Sequence, residues 1–178
     1  MRYTHPYLSP LGGITIASDG SALTGLWFDG QKYFGAGLEK TPEEKSLPIF
    51  DQADRWLDLY FSGRAPDFTP PLVLTGTEFR KDIWNILMTI PFGRTRTYGE
   101  IAAQFAAQKG LSSMSAQAVG GAVGHNPISL IVPCHRVVGA SGSLTGYAGG
   151  VDRKAKLLAL ENADMRKFFM PGKGIAPA

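Results

Sequence analysis

Residues 64–74 separate two hydrophobic patterns that belong to different kinds of layer. This stretch carries Pro66, Pro70 and Pro71 with few helical signals, so it reads as a linker. Upstream, Gly13 to Ala17 and Ala22 to Phe28 are strand-like, and Asp19-Gly20 between them is a turn signal, which together predict an antiparallel hairpin. Pro48 then stands at a favourable first-turn position of a helix whose apolar face recurs at Ile49, Ala53, Trp56, Leu57, Tyr60 and Phe61, with Gly63 as its stop.

Downstream the pattern is helical. Thr77 can cap a helix with a core face of Phe79, Ile83, Leu87 and Ile90, ended by Pro91. A second helix is expected from about Tyr98 through Ile101, Ala102 and Phe105 to Ala107, and a third from about Ser115 to Val123 after the turn Gly110 to Ser113. Helix, turn and short helix make a helix-turn-helix pattern, although any helical hairpin gives it. The third helix has almost no side-chain bulk, and each of its glycines costs about 1 kcal/mol of helix stability. Something must approach it closely. A tight helix crossing is one reading, and a nucleic-acid backbone met in a narrow minor groove is the other.

Charge is divided unevenly between the halves. Residues 1–75 carry 6 Lys/Arg against 9 Asp/Glu, and residues 76–178 carry 12 against 6. Such an excess suits a polyanion binder, and a solvated surface explains it equally well. The single cysteine excludes an intramolecular disulfide, the start Met1 to Pro6 lacks the apolar stretch of a secretory signal, and no run is long enough to span a bilayer. A reducing cytoplasm is the expected location. Residues 165–178 read as a basic, partly disordered tail.

That cysteine, Cys134, lies in the apolar, strand-like run Ile131 to Val138, directly before His135 and Arg136. A free thiol with a pKa of about 8.5 is only slightly ionised at neutral pH, so a nucleophilic cysteine needs a base or a positive field beside it. His135 and Arg136 are candidates for both. The bland alternative is a small buried hydrophobe at a strand end. Asn126-Pro127 precedes the run, a flexible Gly146 to Gly150 loop follows it, and Glu161 ends a helix running from about Asp152 with Leu157, Leu158 and Leu160.

In this order, Tyr98, the Ala118 to Ala122 run, Asn126-Pro127, the Val132 to Val137 run, Gly146 to Gly150 and Glu161 resemble the O6-alkylguanine-DNA alkyltransferases, or methylated-DNA–protein-cysteine methyltransferases. The resemblance covers residues 75–162 strongly and the first 75 in architecture. It implies an α+β fold: a ribonuclease H-like N-terminal part, residues 1–75, with a small antiparallel sheet and a helix, and a mostly helical, winged-helix-like part, residues 76–178, with the helix-turn-helix. The implied activity is direct DNA repair. Cys134 would attack the alkyl carbon on guanine O6, with O4-alkylthymine as a second candidate substrate, and no cofactor is implied.

The same resemblance assigns roles. His135 would be the base, acting through a bridging water, and Glu161 would fix its tautomer. Tyr98 would protonate the departing guanine, and Asn126 would brace the turn between the DNA-binding helix and the thiol. Carbonyls around Cys134 and Val137 would accept from the exocyclic amine, an Ala148 N–H would contact O6, and Tyr147 with Gly149 would wall the pocket. Ala116, Gln117, Ala118, Gly120 and Gly121 would meet duplex DNA in the minor groove, supported by Arg94, Arg96 and Arg136. The base must be extruded from the stack at a cost of a few kcal/mol.

Attack on an sp³ carbon leaves a thioether that water does not hydrolyse, so the protein would be consumed in one turnover. It would act as a monomer, with cooperative binding of neighbouring copies as an open alternative. Two departures stand out: Gln117 occupies the position of an intercalating arginine, and the turn from Ala106 to Met114 is longer than usual. Glutamine lacks arginine's planar cation, which predicts weaker extrusion from duplex DNA. No zinc site can be built from His5, His125 and His135 without the active thiol. A non-catalytic lesion binder of the alkyltransferase-like type is the alternative from another class, and Cys134 argues against it. A thiol hydrolase using Cys134 and His135 is a third, and it leaves the glycine-rich helix unexplained.

Overall fold

The computed structural model describes residues 2–171. Strands β1 (Tyr3–Ser9), β2 (Gly12–Ser18) and β3 (Leu23–Phe28) form an antiparallel meander, and β4 (Glu43–Glu44) adds to β1 in parallel, giving the order β3-β2-β1-β4. The expected hairpin is β2–β3, with a register shift at Ala17/Ser18. Strand β1 is hidden in the sequence by Pro6, which removes a ladder donor; it is accommodated because β4 pairs only with Tyr3 and Thr4, leaving an edge at Pro6. Helix α1 (Pro48–Phe61) has Pro48 in its first turn and buries Ile49, Phe50, Ala53, Trp56, Leu57 and Tyr60.

The second half is helical, as its pattern predicts. The Thr77 hydroxyl accepts from the Arg80 N–H to cap α2 (Glu78–Leu87), which stops one turn before Pro91. Helix α3 (Tyr98–Lys109) opens on a reciprocal capping box between Thr97 and Glu100 and closes on Gly110 in the left-handed region. It therefore absorbs part of the stretch expected as a long turn. Helix α4 (Ala116–Gly124) is capped by Ser115, whose hydroxyl accepts from the Ala118 N–H. Strands β5 (Arg96–Thr97) and β6 (Val137–Val138) form a short parallel pair, and α5 (Val151–Leu160) ends at Glu161.

The run Ile131 to Val138 is a correction. Only Val137–Val138 is strand; Cys134–Arg136 forms a 3₁₀ turn, with Arg136 N–H bonding to the Pro133 carbonyl and Val137 N–H to that of Cys134. An apolar run signals burial but not backbone state, and here Pro133 removes a donor that a ladder would need.

The two halves share one core, which runs from Ile14 on β2 to Leu157 on α5. Backbone also crosses between them. Leu26 N–H donates to the Pro127 carbonyl at 2.9 Å, and Ser129 N–H donates to that of Leu26 at 2.9 Å, so residues 127–129 line the edge of β3. The presumed tail begins as packed structure: Phe168 and Met170 lie on Val138, Leu144 and Leu158, and Phe169 bridges to Ser143. Residues 172–178 of that expectation lie outside the described residues. No described helix is long and apolar enough to cross a membrane.

Candidate active site and nucleic-acid interface

Cys134 sits at the start of its 3₁₀ turn and is 4% exposed. Burial pushes the thiol pKa up, while a hydrogen bond from the Asn126 side chain, the charge of Lys154 and nearby backbone N–H groups pull it down. Asn126 is itself fixed. Its Nδ2 donates to the Val132 carbonyl at 2.7 Å and its Oδ1 accepts from Ile128 N–H at 3.0 Å, tying the end of α4 to the thiol's turn.

Beside the thiol lies a buried relay. The His135 Nε2 is 2.6 Å from Glu161 Oε1, while its Nδ1 is buried and has no hydrogen-bonding partner among the described residues. A carboxylate at Nε2 selects the tautomer with the proton there and leaves Nδ1 as a bare acceptor. Burial lowers the His135 pKa more strongly than Glu161 raises it, so the ring is neutral at neutral pH and available as a base. Burial alone would raise the Glu161 carboxyl, but His135 and Arg136 outweigh it and hold it at about 2.

Arg136 is a correction to its expected place at the nucleic-acid surface. Its Nε and Nη2 bond to the Glu161 carboxylate, its Nη1 donates to the Ile90 carbonyl at 2.7 Å, and the residue is 8% exposed. Its charge is spent inside the protein. Glu161 Oε2, which accepts from Arg136 Nε, also accepts from Gly93 N–H at 2.9 Å.

Two members of this cluster have no motif in the sequence. Tyr60, from α1, donates its hydroxyl to Glu161 Oε1 at 2.8 Å and lies 3.3 Å from His135 Nε2. Periodicity placed Tyr60 on the buried face of α1, but only tertiary packing shows what its hydroxyl meets. Lys154, on α5, is fully buried, donating to the carbonyls of Val137 and Thr145 (3.0 Å for the latter) with its ammonium near the Tyr98 ring. Burial lowers its pKa to about 8, with Cys134 partly offsetting the shift. A lysine among Leu157 and Leu158 on an amphipathic helix is the signal that could have found it.

Tyr98 donates to the Thr145 carbonyl at 3.0 Å, and burial pushes its pKa up to about 12, so it keeps its proton at neutral pH. A Cβ on Gly146 would come within 2.5 Å of the Tyr98 hydroxyl, and one on Gly149 within 2.6 Å of the Tyr147 ring, so both glycines are required by close approach. Tyr147 is buried, and its hydroxyl has no hydrogen-bonding partner among the described residues. Val137 offers its carbonyl to Lys154 and retains a second lone pair, and the Ala148 carbonyl accepts from Lys32 N–H.

Helix α4 is held from beneath by Trp84, whose indole N–H donates to the Ala122 carbonyl at 2.8 Å, and by burial of Val119, Ala122 and Val123. Its outer face carries Ala116, Gln117, Ala118 and Gly121, all exposed. A Cβ at Gly121 or Gly124 would meet nothing within 4 Å, so a helix crossing inside the protein does not explain these two glycines. Gly120 is different, since its added Cβ would touch the Tyr98 ring at 3.8 Å. Arg94 is exposed, whereas Arg96 is partly buried and bonded to Gln104.

Fold and site together define a single-thiol protein with an internal histidine–carboxylate relay, opening beside a helix-turn-helix. Residues 1–74 match the family described as 6-O-methylguanine DNA methyltransferase, ribonuclease-like domain, and residues 78–163 match the 6-O-methylguanine DNA methyltransferase, DNA binding domain. The chain is 48% identical over 155 residues to the methylated-DNA–protein-cysteine methyltransferase of Mycobacterium tuberculosis, covering 87% of this chain and 89% of that one. Its namesake from Methanosarcina acetivorans is 44% identical, covering 87% and 95%. The structure of M. tuberculosis OGT in complex with DNA superposes with a TM-score of 0.78 at 43% identity, covering 93% and 94%. The chain belongs to the O6-methylguanine DNA methyltransferase family.

Proposed function

We propose that this protein repairs alkylated DNA by moving the alkyl group of O6-alkylguanine onto Cys134, irreversibly and once per molecule. The observation that carries the reading is the relay Glu161–His135 beside a lone thiol braced by Asn126. His135 Nδ1 takes the thiol proton, either directly or through water, and Glu161 stabilises the imidazolium. As the sulfur–carbon bond forms, the carbon–O6 bond breaks and its electron pair stays with guanine. Tyr98 supplies a proton to the base, and the proton held on His135 restores the tyrosine, so no co-reactant is consumed. The product thioether has no leaving group that a second thiol or water could readily displace.

The two parts of the chain divide the work, residues 76–178 binding DNA and transferring the group while residues 1–75 buttress the relay through Tyr60. Access runs through the minor groove, where the small outer face of α4 lets the duplex come close and the target nucleotide turns out toward Tyr147, Ala148, Gly149 and the Val137 carbonyl. Ala116, Gln117, Ala118, Gly120 and Gly121 contact the duplex and Arg94 adds charge. The protein works as a monomer in the cytoplasm.

Intact-protein mass spectrometry after incubation with an O6-methylguanine oligonucleotide tests this. A stable gain of one methylene, about 14 Da, absent in Cys134→Ser, is the expected result. Binding without any mass change would leave a lesion binder instead.

A further inference from the structure

The loop that carries Tyr147 is clasped at both ends by consecutive basic residues of α5. Lys154 Nζ donates to the Thr145 carbonyl, where the loop starts, at 3.0 Å, and Arg153 Nη1 donates to the Gly149 carbonyl, where it ends, at 3.2 Å. The second bond of Lys154, to the Val137 carbonyl, stays within the C-terminal half. That of Arg153 does not. Its Nε donates to the Leu11 carbonyl at 3.1 Å, in the turn between β1 and β2, and its guanidinium lies over the Phe28 ring of β3, 4.7 Å from the centroid. One side chain thus joins the pocket loop to the N-terminal sheet.

Space for that side chain is built into the turn. A Cβ on Gly12, whose φ is 113°, would come within 3.2 Å of Arg153 Nη2. Toward the thiol, the clasp continues through packing. A Cβ on Gly149 would come within 2.6 Å of the Tyr147 ring, so the residue that Arg153 holds lies directly against that ring. Tyr147 is in turn buried in the same core as Cys134. Burial pushes the Tyr147 pKa up; beneath that effect Cys134 raises it and Arg153 lowers it, which puts thiol and guanidinium within electrostatic range of one phenol.

We infer that Arg153 is a positioning residue for the guanine pocket, setting the Tyr147 wall beside Cys134 from the N-terminal half. The inference rests on the alkyl-transfer reading. Neither hydrogen bond of Arg153 is to the relay or to α4, so its loss loosens the wall and leaves the thiol's own chemistry and the outer face of α4 as they are.

The test compares two reactions of Cys134 in wild type and Arg153→Met, which keeps much of the aliphatic stem and removes the donors. One is single-turnover transfer from an O6-methylguanine duplex, which needs the pocket; the other is alkylation by iodoacetamide, which does not. Thermal unfolding checks that the variant is folded. In Arg153→Met the ratio of transfer rate to iodoacetamide rate is expected to fall about tenfold, within the roughly hundredfold that a 1 Å misplacement can cost, while affinity for an undamaged duplex stays at the wild-type value. An unchanged ratio overturns the inference, even if the unfolding midpoint drops, because a merely structural bond would do that alone. A loss of duplex affinity equal to the loss of transfer overturns it too. Failure of the wild type to transfer the methyl group, with its thiol still open to iodoacetamide, would instead overturn the alkyl-transfer reading itself.

Discussion

The relay and the outer face of α4 are built in opposite ways. At the relay, Glu161 is held by His135, Arg136, Tyr60 and Gly93, with partners from both halves of the chain. On α4, a Cβ added at Gly121 or Gly124 would meet nothing within 4 Å. Proton transfer demands fixed distances and a fixed tautomer, so that region is over-determined from within. A duplex admitted at the other, as proposed, would demand space, which would account for glycine there despite its cost to helix stability. Substitutions in the first region should therefore damage fold and chemistry together; those in the second should separate them.

Glu161→Gln is the most severe way to press on this difference. It strands the buried Arg136 guanidinium, and breaking a buried pair in this way costs about 3–5 kcal/mol, which urea unfolding will read as a lower midpoint. Transfer should fall at least about a hundredfold in any protein that remains folded. Tyr60→Phe removes only one hydrogen bond to the same carboxylate, for about 1.5–3 kcal/mol, with a slower transfer rate on duplex and free-base substrates alike. An effect confined to duplex substrate would place Tyr60 with the DNA-facing region instead.

Gly121→Leu should do the reverse. Leucine is the better helix former by up to about 1 kcal/mol and its Cβ meets no neighbour, so stability holds or rises, while duplex affinity measured by fluorescence anisotropy weakens about tenfold or more. Equal affinity would mean that α4 does not face the duplex.

The pH dependence is the gentlest probe. Glu161 has a folded-state pKa depressed to about 2, so its stabilisation is complete above the ordinary carboxylate value near 4.5 and is lost as pH falls from there toward 2. Wild-type unfolding free energy should decline over that window, and Glu161→Gln should lack that component. Because His135 is shifted below its ordinary value of 6.5, the transfer rate should stay level as pH falls from 7 through 6.5.

The same contrast explains what the sequence could disclose. Helix starts were legible at Pro48, Thr77 and Ser115, because capping chemistry is local and leaves its residue type in place. The order from Tyr98 to Glu161 identified the family because its chemistry needs those residue types. Sequence order did not reveal Tyr60 in the relay, since a helical period reports a buried face and not the partner of a hydroxyl. Nor could it place Arg136, whose charge suggested DNA until the Glu161 carboxylate was found against it. The strand-like reading of residues 131–138 failed for a related reason: a buried 3₁₀ turn and a buried strand share the same apolar composition.

Stoichiometry tests the central claim most directly. With methylated duplex in excess, quantified by loss of O6-methylguanine and by peptide mapping, the account predicts that repair stops at one methyl per protein, carried as a thioether on Cys134. Repair continuing beyond one equivalent, or a methyl group found on any other residue, would contradict it.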